Sequence, residues 1–507
     1  MTSAAASEHY RQLCELKRES ATLGAVGSLL SWDQETYMPN AASDNRAEQS
    51  AVLAGLVHER ETSKRVGDLL AACEADKSLQ ADARLAANIR EMRRDYDLAT
   101  KLPPELVKEL AEVGSKSQHV WKDARAKSDF SIFKPWLEKM VALTRRKAEC
   151  YGAPKGGELY DALLNEYEPD ARAGEIEKVF GPLRGRLSGL IGDLAKGKGP
   201  SEAPLGVKVE ADRQHRLGLR VIKALGFDFD AGRLDVTTHP FCSGFGPGDT
   251  RLTTRYREER WTDALFGTMH ECGHGLYEQG LPKSTLFGQP LARDAGLGIH
   301  ESQSRMWENF VGRSRAFWEW ALPVVNEEFG GALAKFSVDD VYRSVNTAKP
   351  SLIRVEADEA TYNLHVMLRF GIERAMFNGQ LKVSDVPGEW NAGFKDYLGI
   401  DVPSDAKGCL QDVHWSFGLF GYFATYALGN LYAAQLWEKI NHDIPALQEQ
   451  IRRGQFGELL AWLRKNIHSA GRQFKAADLC QRVTGRPLGA DPLLRHLEGK
   501  LRPIYGV

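Results

Sequence analysis

The chain has 507 residues, of which 43% are hydrophobic and 26% are charged, and this ordinary globular composition excludes a disordered or fibrous protein. Its 66 basic and 68 acidic residues give a formal net charge of -2 without long runs of one sign, so the charge does not favour binding to nucleic acid or to a membrane surface. Seven scattered cysteines form no CxxC pair, and the sequence has neither a signal-peptide pattern nor an apolar stretch that could span a bilayer, so we expect a cytoplasmic protein with small or peptidic partners.

The first part of the chain has a helical pattern. Apolar residues recur at helical spacing from Ser7 onward, and Pro39 predicts the end of this first helix. The same pattern then continues, and Pro104 predicts the start of a further helix, because proline is favoured in a first helical turn. We therefore predict a set of long helices over about 1–225.

The region 227–258 breaks this pattern. Two β-rich runs, LDVTTHPF and TRLTTRYRE, flank the glycine-rich stretch CSGFGPGD, and together they predict a hairpin with a plain connecting loop. Helical pattern resumes after Trp261, and no repeat or low-complexity linker divides the chain. We predict one domain over 1–507, with a helical N-terminal part over about 1–225 and a second part over about 226–507 that contains the motif described next.

The motif HECGH predicts a metal site on a helix. His270 and His274 lie one turn apart, so both imidazoles can reach one cation. Glu271 is rotated by about 100° from His270, where its carboxylate can act as a base on water without binding the metal. The alternative is a helix that contains two histidines by chance, because the motif is short.

A third ligand is expected downstream, since catalytic zinc usually has three protein ligands and an open position. The stretch IHESQSRMWENF offers His300, Glu301 and Glu308, and the spacing allows each of them. Glu301 and Glu308 would share a helix face, so one could bind the metal while the other supports it. His300 could support the site or bind backbone in a loop.

Several separate motifs extend over the chain in a fixed order. They are LLSWDQETYMP at 29–39, HPF at 239–241, DTRLT at 249–253, HECGH at 270–274, HES at 300–302, IRVEAD at 353–358 and GCLQDVHW at 408–415. In this order they resemble the carboxypeptidase Taq family of metallocarboxypeptidases over nearly the whole chain. We interpret Asp33 and Glu35 in the first motif as structural, beside its aromatic residues.

The resemblance implies a mainly α, large helical peptidase fold with a deep groove and a small β-hairpin or sheet near the active site, similar to neurolysin and angiotensin-converting enzymes. It also implies one divalent metal ion per chain, Zn2+ or Co2+, and a homodimer. The expected activity is the release of single C-terminal amino acids from peptides with broad specificity. By the same resemblance, the third ligand is Glu301.

The expected catalytic residues follow from this resemblance and from the chemistry of the motifs. His270, His274 and Glu301 would hold the metal, and Glu271 would be the general base. His414 and Tyr422 are candidate donors to the oxyanion, because related helical peptidases use a His and a Tyr there. In its aromatic-rich stretch, Tyr422 is as readily explained as a core residue.

An exopeptidase must also bind the terminal carboxylate, and a guanidinium can do so with two hydrogen bonds. Arg354 is the first candidate, because IRVEAD otherwise has the pattern of a buried segment; the alternative is a salt bridge with Glu356 or Asp358. Arg251 is the second candidate, unless it is an exposed strand arginine. His239 lines the groove or caps a strand.

Three other functions are compatible with parts of this pattern. An oligopeptidase or endopeptidase of the thimet and neurolysin type would share HExxH and ignore a free C-terminus. A non-catalytic metal-binding scaffold would not need Glu271. A ferritin-like di-iron protein would need two ExxH pairs and further inward glutamates, which the sequence does not supply.

Overall fold

The structure, a computed structural model, describes residues 7–507. The part before the β region is helical, as predicted. Its helices are α1 (Glu8–Thr36), α2 (Ser43–Glu61), α3 (Lys64–Ala75), α4 (Lys77–Ala81), α5 (Ala83–Thr100), α6 (Pro104–Lys127), α7 (Phe130–Tyr151), α8 (Leu159–Tyr167), α9 (Ala173–Leu194) and α10 (Ala211–Leu225). Ser7 caps α1 by accepting the backbone N–H of Tyr10, and α6 begins at Pro104 as the sequence predicts.

A three-stranded sheet follows, formed by β1 (Gly232–Val236), β2 (Cys242–Gly246) and β3 (Asp249–Thr254) in the order β1-β3-β2. The predicted hairpin is wrong, because β1 pairs with β3 in parallel. The hairpin partner of β3 is β2, which lies within the glycine-rich stretch that we predicted to be a loop. A Cβ on Gly244 would collide with the side chains of Glu278 and Lys283, so this glycine permits close packing rather than a turn.

Helices form most of the remaining chain. They are α11 (Trp261–Gly280), α12 (Lys283–Leu286), α13 (Leu297–Arg305), α14 (Arg315–Glu328), α15 (Val338–Val345), α16 (Tyr362–Phe377), α17 (Val386–Leu398), α18 (Ala424–Asp443), α19 (Leu447–Arg452), α20 (Gly457–Asn466), α21 (Ala476–Thr484) and α22 (Asp491–Tyr505). A π-helical segment, Met306–Val311, continues α13. Among the described helices, none is long and apolar enough to cross a membrane.

The hydrophobic core is continuous from Leu106 to Tyr505 and includes side chains from both sides of residue 225. A smaller core, from Tyr10 to Met92, lies beneath α1 and between α3, α4 and α5. The mainly α fold with a small sheet is therefore confirmed. The deep groove remains a prediction.

The motif at 29–39 connects the end of α1 to the sheet. Trp32 is buried, whereas Tyr37 is 60% exposed and donates its hydroxyl to Asp235 of β1 at 2.5 Å. Asp33 pairs with Arg46 of α2 at 2.6 Å. These contacts give Asp33 a structural role, as we expected.

Two glycines allow the central helices to approach closely. A Cβ on Gly273 of α11 would lie 2.5 Å from the backbone oxygen of Gln303 and 2.6 Å from Cα of Ser304, both in α13. A Cβ on Gly429 of α18 would collide with the side chain of Glu301. The helix with the HECGH motif and the helix that contains Glu301 are thus held at a spacing that a larger residue would not permit.

Candidate metal site

The HECGH motif lies on α11, whose earlier turns are fixed by the buried side chains of Trp261, Leu265 and Met269 at four-residue spacing. His270 and His274 project from the same side, and their ring centroids are 4.9 Å apart. The predicted helical arrangement of the two imidazoles is confirmed.

Glu301 reaches this pair from α13. Its Oε2 atom lies 3.6 Å from Nε2 of His270 and 3.4 Å from Nε2 of His274. One ligand atom from each of these three residues, the metal cluster, lies within 4.8 Å of the others. The Oε1 atom accepts a hydrogen bond from Nε of Arg305 at 2.7 Å, so Arg305 orients the carboxylate with its other oxygen toward the histidines.

The outer nitrogen of His270 has an acidic partner. Its Nδ1 atom lies 2.9 Å from Oε2 of Glu308, which also accepts from Nη1 of Arg305 at 3.3 Å. Glu308 belongs to the π-helical segment that continues α13, a local widening common near functional sites. Glu301 and Glu308 thus approach opposite nitrogens of one ring, and Glu308 is placed to support His270.

The outer nitrogen of His274 contacts His300. Their Nδ1 atoms are 2.6 Å apart, and Nε2 of His300 lies 2.9 Å from Oε1 of Glu278, which forms an ion pair with Lys283. Burial lowers the pKa of His300, but the hydrogen bond and charge of Glu278 outweigh it and raise this pKa above its usual value. Once His300 has lost the proton at Nδ1 and donates only from Nε2 to Glu278, its Nδ1 atom accepts the N–H of His274. The lone pair on Nε2 of His274 then faces Glu301, as metal binding requires.

Burial and charge set the protonation of the metal cluster. Burial lowers the pKa of His274 to about 3, so the ring is neutral. Burial opposes the ionisation of Glu301, but Arg305 and His270 outweigh it and hold the pKa of Glu301 well below its usual value. Two imidazole nitrogens and one carboxylate oxygen are the donor set of many catalytic zinc sites, so these residues fit a divalent cation.

Glu271 follows His270 on α11 but does not belong to the metal cluster. Its side chain is buried in this apolar part of the helix. Burial raises the pKa of Glu271 to about 7. A carboxyl group with a pKa near neutrality can both accept and return a proton, which is the property of a general base.

His414 and Tyr422 lie together in the segment that precedes α18, where His414 begins a 3-10 turn, His414–Phe417. Their ring centroids are 5.5 Å apart. Tyr426, one helical turn beyond Tyr422, places its hydroxyl 3.4 Å from Nε2 of His414. Burial, together with charges that include Glu301, raises the pKa of both tyrosines. Both hydroxyls are therefore protonated.

Arg354 is buried beside these aromatic residues. Its Nε and Nη2 atoms donate to Oδ1 of Asp412 at 3.0 and 2.8 Å, and Nη1 donates to the hydroxyl of Tyr362 at 3.0 Å. The ring of Tyr362 lies 4.5 Å from the guanidinium carbon of Arg305, which binds Glu301. The side chain of Tyr362 therefore contacts both Arg354 and Arg305, the residue that orients Glu301.

The alternative salt bridge of Arg354 and the expected burial of the IRVEAD segment are both wrong. The carboxylate partner of Arg354 is Asp412, which is distant in sequence, and neither Glu356 nor Asp358. The IRVEAD segment is not buried, because Val355 is 68% exposed. A 3-10 turn begins at Arg354, and successive side chains in such a turn project in different directions.

Arg251 and His239 have other surroundings. Nε and Nη2 of Arg251 donate to Asp249 at 2.9 and 3.0 Å, and its guanidinium lies 4.4 Å from the ring of Trp32. His239 is exposed in the connection between β1 and β2. Within residues 7–507, neither side chain forms a hydrogen bond or an ion pair with the metal cluster.

A model of the carboxypeptidase Taq (M32) metallopeptidase family matches residues 12–501. The chain belongs to this family. Thermostable carboxypeptidase 1 of Thermus thermophilus is 45% identical, with 98% of this chain and 99% of the relative covered. The corresponding identity with carboxypeptidase 1 of Bacillus subtilis is 38%, with 97% of each chain covered.

Solved structures of the family have the same fold. An M32 carboxypeptidase from Deinococcus radiodurans R1 superposes with a TM-score of 0.95 at 40% identity, with 99% of this chain and 100% of that chain covered. The protein is accordingly a metal-dependent carboxypeptidase, and the endopeptidase and scaffold alternatives are not favoured.

Sequence reasoning missed three side chains of the site. Arg305 could have been found from its four-residue spacing to Glu301, and Tyr426 from the same spacing to Tyr422. Tyr362 has no comparable local signal, because its partners Arg354 and Arg305 meet it only through tertiary packing.

Proposed function

We propose that this M32 enzyme releases single C-terminal amino acids from peptides with broad side-chain tolerance. The metal would be held by His270, His274 and Glu301, and Glu271 would act as the base. The observation that carries the proposal is the convergence of two imidazoles and one carboxylate beside a buried glutamate that remains outside the cluster.

The donor set favours Zn2+, with Co2+ as the alternative, at one ion per chain. The chemistry that such an ion supplies when bound is activation of water and polarisation of the scissile carbonyl. Glu308 and His300 would fix the ring orientations through the outer nitrogens of the two histidines.

Glu271 would transfer the proton from the attacking water to the leaving group. Its carboxylate takes a proton from the attacking water and delivers it to the nitrogen of the departing amino acid. The base must be ionised before water attacks, and a pKa of about 7 leaves a substantial ionised fraction at neutral pH.

His414 and Tyr422 would donate hydrogen bonds to the oxyanion that develops at the scissile carbonyl. Burial lowers the pKa of His414 to about 4, so its imidazole is a neutral N–H donor. Burial raises the pKa of Tyr422, so its hydroxyl retains its proton. Tyr426 supplies a second hydroxyl beside His414.

Arg354 is the preferred ligand of the substrate's terminal carboxylate. A guanidinium has five N–H donors, and Asp412 and Tyr362 occupy three of those of Arg354. One donor remains on each Nη atom, which matches the two oxygens of a carboxylate. Arg251 is the second candidate, although Asp249 binds it through two hydrogen bonds, and His239 would line the groove.

We further propose a homodimer of single-domain chains in the cytoplasm. The homodimer rests on family resemblance, and the cytoplasmic location rests on the seven scattered cysteines, which are unlike a disulfide framework. Sedimentation equilibrium measures the oligomeric state directly.

Removal of the metal tests the proposed function. Dialysis against a chelator should abolish hydrolysis, and one equivalent of zinc or cobalt per chain should restore it, as measured by elemental analysis and peptide turnover. His274→Ala should bind less than one-tenth of an equivalent under the same conditions, because it removes one of three ligands. Full activity in the metal-free protein would contradict the proposal.

A further inference from the structure

Two buried side chains on α16, those of Arg369 and Glu373, bind the segment 412–421, which contains His414. Arg369 contacts Oδ2 of Asp412 through Nε and Nη2, each at 2.6 Å. Glu373, one turn further along α16, binds the same segment beyond His414. Both side chains are 0% exposed. The segment is therefore attached to one helix at two points.

Glu373 binds directly beside both proposed oxyanion donors. Its Oε1 atom accepts the indole N–H of Trp415 at 2.7 Å, and its Oε2 atom accepts the backbone N–H of Gly421 at 2.9 Å. Trp415 follows His414 in the chain, and Gly421 precedes Tyr422. A shift of the Glu373 carboxyl would therefore move the backbone next to each donor.

The segment has little regular structure that could fix its position. Its regular structure is a single 3-10 turn, His414–Phe417, which contains the first residue bonded to Glu373, Trp415. Gly418 and Gly421 have φ angles of 75° and 89°, a left-handed conformation that favours glycine. Since no strand ladder or α-helix holds this stretch, its position depends on the burial of Trp415 and Phe420 in the core and on side-chain hydrogen bonds from neighbouring elements.

We propose that Glu373 is a positioning residue of the carboxypeptidase reaction, which sets the places of His414 and Tyr422 by fixing Trp415 and Gly421. The inference rests on the proposed oxyanion roles of those two side chains. A carboxyl group is costly to bury, and an apolar side chain would fill the same space. The specific gain from a carboxyl here is that its two oxygens fix the directions of two N–H groups in one loop.

The substitution Glu373→Gln tests this role in the metal-loaded enzyme. An amide replaces one acceptor oxygen with an NH2 group, so either Trp415 or Gly421 loses its acceptor. We expect faster amide hydrogen exchange over 411–423. We also expect kcat to fall by about ten- to a hundred-fold, since small misplacements of catalytic groups have effects of this size, while KM changes by less than about two-fold.

Two variants control for simple loss of stability. Glu91→Gln alters another 0% exposed carboxyl, on α5, which binds Lys475 at 2.8 Å. Tyr160→Phe removes the remaining donor to Glu373, a hydroxyl at 2.6 Å, and leaves both bonds to the segment. Both controls should keep wild-type exchange over 411–423 and a wild-type kcat.

A double-mutant cycle separates positioning from loss of active protein. In the Tyr422→Phe background, Glu373→Gln should reduce kcat less than it does in the wild type, because part of its effect acts through Tyr422. Equal fold-losses in both backgrounds, or unchanged exchange over 411–423, would overturn the proposal. If Glu373→Gln does not fold, Trp415→Phe removes one of the two bonds and must give the same exchange pattern. A wild type without carboxypeptidase activity would refute the proposed function, whereas the exchange comparison would still decide whether Glu373 fixes the segment.

Discussion

The role of a carboxylate in this site depends on which atoms surround it. Glu301 is ionised because Arg305 contacts it, whereas burial raises the pKa of the neighbouring Glu271 to about 7. One carboxylate is thus suited to hold a cation, and the other to exchange a proton.

The substitution Glu271→Gln separates these two roles. Because Glu271 lies outside the metal cluster, the variant should bind one equivalent of metal and unfold at the wild-type temperature. Loss of the base should lower kcat by about 10²- to 10⁴-fold. Elemental analysis, calorimetry and peptide turnover measure the three quantities. A variant that loses its metal, or that retains more than one-tenth of the activity, would show that the assignment is wrong.

The spacing of HECGH was sufficient to predict the geometry of His270 and His274, because a helix places residues four apart on one side. The choice of Glu301 over Glu308 required the family resemblance. In the structure Glu301 faces Nε2 of His270, whereas Glu308 contacts Nδ1 from a π-helical segment that the sequence pattern does not reveal. The pairing of Arg354 with Asp412 could not be predicted from the local sequence either, because 58 positions separate the two residues.

At the scale of elements, the metal cluster depends on the contact between α11 and α13. Gly273 is placed where α13 approaches α11, and a Cβ there would lie 2.5 Å from a backbone oxygen. Backbone cannot yield as a flexible side chain can, so a larger residue must push the helices apart and separate Glu301 from the two histidines.

Gly273→Ala should therefore destabilise the protein by about 1–3 kcal/mol and weaken metal binding. The matched control is Gly267→Ala on the same helix, where a Cβ would meet nothing within 4 Å; it should stabilise the protein by about 0.5–1 kcal/mol. Denaturant unfolding and competition with a metal chelator measure the two effects. Equal behaviour of the two variants would contradict the proposed importance of this helix contact.

The helices were predictable because apolar periodicity and proline positions mark them locally, as at α1 and α6. The topology of the sheet was not predictable in the same way. Glycine in β2 has the local signature of a loop, whereas Gly244 lies where the side chains of Glu278 and Lys283 approach the strand. A parallel pairing of β1 with β3 likewise has no local signature.

At the scale of the whole molecule, the site brings together distant parts of one chain. The HECGH helix, Glu301, Arg354 and His414 come from four separate regions, yet one continuous core extends beneath them. No short segment contains all of these candidate site residues. The match to M32 carboxypeptidases accordingly extends over nearly the full chain length.

The proposed reaction requires that the enzyme recognise a free C-terminus. The most direct test incubates the zinc-loaded protein with two peptides of the same sequence, one with a free terminal carboxylate and one amidated, and follows both by mass spectrometry. We predict that the free peptide loses residues one at a time from its C-terminus while the amidated peptide stays intact. Internal cleavage of both peptides, or no cleavage of either, would contradict the account.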